Sequence, residues 1–167
     1  MTSTHTAAHP ALDRAAHHAS VWLEGLETRA VNATTSLDEL RARLRVPLTQ
    51  MGVDAVQVVD DLAAATEGGL LGSPGGRFFA WVIGGTMPSA VAADWLTSAW
   101  DQNAGMYATA PAAAVAEEVV GEWLLDLLDL PRDASFALVT GCQMAHVTAL
   151  ATARHANRRS RRSSSVG

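Results

Sequence analysis

Four apolar residues in a row, Phe136-Ala-Leu-Val139, run into Thr140-Gly141, and beyond the glycine the apolar residues recur at three- and four-residue steps. Bounded by Arg132-Asp133 and Gly141, the run reads as a short buried strand. From Met144 to His155 the positions Met144, Val147, Leu150 and Ala151, with the small residues Ala145, Ala149 and Ala153, have the spacing of a helix packed closely on a sheet. Strand, glycine turn and helix in that order predict an α/β fold. The first N–H groups of such a helix have no intrahelical acceptor, so they and the helix dipole favour a phosphate there. Neither the Walker phosphate loop nor the dinucleotide glycine fingerprint is present.

Upstream, turn formers divide the chain into helical stretches. Residues 1 to about 10 are polar and without period, and are expected to be disordered. Leu12, Ala15, Ala16, Ala19, Trp22, Leu23 and Leu26 keep helical spacing and need a partner surface. His5, His9, His17 and His18 lack a Cys or carboxylate at ligand spacing, which argues against a metal. Ser36-Leu-Asp-Glu39 has the form of a capping box opening a helix that Pro47 stops. A helix over 53–66 turns Val56, Val59 and either Ala63 or Leu62 inward, with Asp60 and Asp61 on a solvated face. The stretch 68–76 holds five glycines and a proline and is a loop.

Thr86-Met-Pro88 marks another helix start, with Val91, Ala92, Trp95, Leu96 and Ala99 as its buried stripe. Pro111 opens and Pro131 closes the next, with Val115, Val119, Val120, Trp123, Leu124, Leu127 and Leu128 expected inward. Asp94 and Asp101, and the series Glu118, Glu122 and Asp126, read as solvated faces rather than acid–base pairs.

Three blocks stand before the glycine turn: Arg77-Phe-Phe-Ala-Trp-Val-Ile-Gly-Gly-Thr-Met-Pro88, Ala93 to Asn103, and Pro111 through Glu117-Glu118 to Pro131. With the turn they resemble, from about Leu12 to Ala156, the pyridoxal-phosphate-dependent group II decarboxylases, which include aromatic-amino-acid and glutamate decarboxylases. The resemblance implies the amino-terminal part of a fold-type I (aspartate aminotransferase-like) enzyme, mostly helical with the first strand of the large-domain sheet. It divides the chain into a helical segment with a substrate-pocket loop (1–105), the start of a cofactor-binding domain (106–156) and a disordered basic tail (157–167).

The same resemblance implies pyridoxal 5'-phosphate as cofactor, with Gly141, Cys142 and Gln143 on its phosphate. It places Trp81, Val82, Gly84, Asn103 and Tyr107 at an amino-acid substrate, and implies a cytoplasmic homodimer that decarboxylates that substrate. The family's His-Pro before the aromatic block is replaced here by Pro74-Gly75-Gly76, so no role for that histidine carries over. Val82-Ile83-Gly84 likewise departs from the pattern of members that take aromatic substrates.

All twelve basic residues are arginine. A guanidinium is neither deprotonated nor nucleophilic at working pH, so no side chain here can serve as the Schiff-base lysine of that family. The chain is therefore expected to be a fragment, inactive alone. An aminotransferase on the same scaffold, or a non-catalytic helical dimerisation module, are the alternatives.

The net charge of −5 becomes −9 (eight basic against seventeen acidic) without Arg158, Arg159, Arg161 and Arg162, which argues against a nucleic-acid surface. One cysteine, Cys142, excludes an internal disulfide. Nothing in the sequence predicts a leader or a membrane partner. Cys142 has no histidine fixed beside it by the sequence, and His146 is expected to pack or cap.

Overall fold

The computed structural model describes residues 9–83 and 85–164, with side chains up to Arg158. Among these residues the elements are six helices: α1 (Pro10–Glu24), α2 (Leu37–Leu44), α3 (Ala55–Thr66), α4 (Pro88–Trp100), α5 (Pro111–Leu127) and α6 (Cys142–Ser164). They fall into two units, Met1–Asp94 and Trp95–Gly167. The expected α/β fold is overturned, since no described residue is in a strand. Residues 134–139 run without regular structure into a tight turn in which the Gly141 N–H donates to the Val139 carbonyl over 2.8 Å. The apolar run has the composition of a strand, but a strand exists only as a ladder, and no second segment here offers one.

In the first unit α3 packs against both α1 and α2. Pro10 sits in the first turn of α1, where its missing N–H costs nothing. The inward face of α1 is mostly small (Ala11, Ala15, Ala16, Ala19), which lets α3 approach, with Trp22 filling the far end. Helix α2 opens with the capping box: Ser36 Oγ accepts from the Glu39 N–H at 3.2 Å, and the Ser36 N–H donates to the Glu39 carboxylate at 2.8 Å. Asp54 caps α3, its carboxylate accepting from the N–H groups of Val56 and Gln57, so the helix begins at Ala55, two residues later than the pattern implies. Ala63 turns inward and Leu62 outward, which settles the alternative.

Asp60 is not on a solvated face. Its carboxylate lies 2.6 Å from His18 Nε2 and 3.6 Å from Arg14 Nε, joining α3 to α1, while Asp61 accepts from Gln57 on the outside. Both side chains are carried by α1 one turn apart, so each reaches the same carboxylate. Replacing Asp60 with Ala is expected to lower the unfolding free energy of this unit by about 1 kcal/mol, because the pair is only part-buried. Urea unfolding followed by circular dichroism measures it.

The loops of this unit are held by arginines. Arg77 donates to the carbonyls of Leu26 and Arg29, and Arg43 donates to that of Glu67. Arg29 pairs with Glu67 at 2.9 Å and lies over the Trp22 ring.

The donors from Ser36 hold the Glu39 carboxyl below its ordinary value of 4.5. Its folded pKa being the lower one, the unfolded chain binds the extra proton between the two values. The cap's contribution is therefore complete above 4.5 and is lost as pH falls through the folded pKa. Acid titration of α2 helicity is expected to flatten in Glu39→Gln, which cannot titrate.

In the second unit Ala110 and Leu125 are buried, at 2% and 8% exposure. Helix α5 ends in a Schellman turn: the Leu130 N–H reaches the Leu125 carbonyl, the Asp129 N–H reaches that of Asp126, and Asp129 takes the left-handed φ of 52°. Pro131 follows and prevents continuation. At the end of α4 Asp101 takes the left-handed region, with φ 46°.

The wide apolar stripe expected on α5 is largely uncovered. Of its residues Val119, Val120 and Leu124 are half-buried, whereas Trp123 is 68% and Leu127 79% exposed; the buried positions of α5, Gly121 and Leu125, lie outside the expected stripe. Trp95 and Leu96 of α4 are likewise exposed. Among the described residues α5 and α6 do not pack against each other, so these faces meet no second helix layer there. Helix α6 runs to Ser164, carrying helical backbone into the stretch assigned to the tail.

Candidate phosphate-binding turn and the residues around it

Gly141 has a φ of 85°, a left-handed conformation that a side chain resists, and a Cβ built there meets nothing within 4 Å. The chain can therefore turn sharply from Val139 into α6. Helix α6 begins at Cys142, and the first backbone bond into it runs from the Ala145 N–H to the Gly141 carbonyl. The N–H groups of Cys142, Gln143 and Met144 have no acceptor among the described residues, and all three residues are exposed. Three donors, the positive end of a 23-residue helix and an open approach make a turn suited to an anion.

The thiol of Cys142 lies 3.8 Å from His146 Nε2, one helical turn on. Expected only to pack or cap, His146 instead faces the thiol. The signal was in the sequence, since residues four apart on a helix are neighbours.

Of the residues assigned to a substrate, Trp81 and Val82 belong to the first unit. They take φ values of 57° and 56°, rare for a bulky and for a β-branched side chain. The ring of Trp81 meets Phe78 edge-on at 5.8 Å, and Val82 projects fully into solvent. Gly84 lies outside the described residues. Asn103 and Tyr107 belong to the second unit. The Asn103 side chain accepts from the Gly105 N–H at 3.1 Å and its carbonyl accepts from the Thr109 hydroxyl, so both serve the turn they stand in. Tyr107 is exposed.

Pyridoxal phosphate can be tested against these groups in two parts. The phosphate fits the unpaired donors after Gly141. The aldehyde does not find its usual partner, because the chain has no lysine. Among the described residues no group of three or more His, Cys, Asp or Glu side chains could hold a metal ion, and no helix is long and apolar enough to cross a membrane. No family model, curated protein or solved structure matches the chain.

Proposed function

We propose that this chain is the phosphate-holding part of a cytoplasmic, dimeric pyridoxal-phosphate-dependent amino-acid decarboxylase, without activity on its own. The observation that supports this reading is the open turn at Gly141, with three unpaired N–H donors at the start of α6. Bound pyridoxal phosphate supplies an electron-withdrawing ring, which lets a substrate amino acid lose CO2. The part played by this chain is to bind and orient. The N–H groups of Cys142, Gln143 and Met144 take the phosphate oxygens, and the Gln143 amide adds a further donor. The family resemblance alone assigns Trp81, Val82, Gly84, Asn103 and Tyr107 to the substrate.

Equilibrium dialysis with pyridoxal phosphate tests the reading. Binding should be displaced by inorganic phosphate, and borohydride should fix the cofactor only on the terminal amine, the chain's one primary amine. Retention that phosphate does not displace would overturn it. A second reading, a helical module that associates without catalysis, is favoured by the exposed apolar faces of α4 and α5. Association without any phosphate-competed cofactor binding would select it.

A further inference from the structure

Helix α6 carries five arginines, Arg154, Arg158, Arg159, Arg161 and Arg162, and no acidic residue. That leaves seven basic against seventeen acidic residues, −10, on the rest of the chain. Met144, Val147, Leu150, Arg154 and Arg158 follow at three- and four-residue steps, so apolar and cationic groups lie end to end on one helix face. All five are exposed, Leu150 at 72%. A bilayer surface suits apolar and cationic groups on opposite faces. A face that is apolar at one end and cationic at the other suits a protein edge that is apolar and then acidic.

Helix α5 presents such an edge. Val115, Glu118 and Glu122 stand at three- and four-residue steps, all exposed, and neither glutamate is in an ion pair among the described residues. Glu118 and Glu122 have the same one-turn spacing as Arg154 and Arg158. A parallel alignment that pairs them sets Val115 level with Ala151, whereas the antiparallel one sets Leu150 against Asp126.

We propose that α6 of one copy docks in parallel on the acidic edge of α5 of a second copy. In that register the 17 residues of α5 set the length of the contact, about 25 Å, and a strip about 10 Å wide along it covers about 250 Å². A two-fold dimer makes the contact twice, about 500 Å² per protomer, the size of a weak, salt-sensitive interface.

Sedimentation equilibrium of the full chain tests this. The wild type should dimerise at low salt, with a dissociation constant that rises about tenfold as salt screens the pairs. Arg154→Glu/Arg158→Glu should weaken association by at least that factor, and so should Glu118→Arg/Glu122→Arg. An equimolar mixture of the two variants should form heterodimers in which both contacts are complementary again, and the quadruple charge swap should regain the dimer. All four positions are exposed, so circular dichroism should show folding unchanged. A monomeric wild type, association indifferent to salt and to the single-side swaps, or a quadruple swap that stays weak would overturn the proposal. Phosphate binding at the Gly141 turn uses none of these side chains and should be the same in every variant, so the two proposals fail separately.

Discussion

Gly121→Val is expected to unfold the second unit more readily than any other single change in it, by about 3 kcal/mol. A Cβ at Gly121 would overlap the Cε1 and Cζ atoms of the Phe136 ring, so the ring seats in the gap that the missing side chain leaves on α5. Two effects oppose each other. A helix-interior glycine costs about 1 kcal/mol relative to alanine, so any side chain gains there by propensity. The overlap costs about 1–3 kcal/mol, and more as the side chain branches. For Ala the terms nearly cancel into a small loss; for Val propensity returns less and the overlap grows, so the clash prevails.

The ring cannot simply shift inward. Leu125, one turn along, is among the few buried residues of the unit. Hydrogen exchange of the α5 amides should quicken in Gly121→Val and recover partly when Phe136→Ala is added. A protection pattern identical to the wild type would mean that the ring does not pack on α5.

The second large effect is expected at Gly141. Valine there carries the strain of a β-branched residue at φ 85°, about 1–3 kcal/mol. The chain escapes by changing the turn, and the three donors at the start of α6 then lose their common aim. Phosphate affinity should fall about tenfold or more, since every 1.4 kcal/mol is tenfold. Gly141→Asn, which tolerates the left-handed region, should retain most of it. Equal affinity in the valine variant would show that phosphate binds elsewhere.

The helices were legible where the sequence carries a local device. Ser36 with Glu39 fixes the start of α2, and Pro111 and Pro131 bracket α5, because caps and prolines act on the backbone beside them. The strand over Phe136–Val139 was misread for a physical reason: its composition suits a ladder, but pairing depends on a distant partner that composition does not reveal. In its place Phe136 uses the bare backbone of Gly121, a contact between residues of no periodic relation. The role of Asp60 was hidden for a related reason, since its partners His18 and Arg14 come from another helix. At the candidate site the turn itself was legible in Gly141, and the contact between Cys142 and His146 was legible in principle from their spacing.

The stripes expected on α4 and α5 show the limit of periodicity. It identifies which face of a helix is apolar, yet Trp95, Trp123 and Leu127 remain exposed because burial requires an opposing layer.

The account depends most on donors at the head of α6 gripping a phosphate. Amide chemical-shift mapping of the full chain during titration with inorganic phosphate examines them directly. The largest shifts should fall on Cys142, Gln143 and Met144, saturate, and be reproduced by pyridoxal phosphate. Amides there that stay still while shifts gather around the arginines of α2 or Arg77 would contradict it.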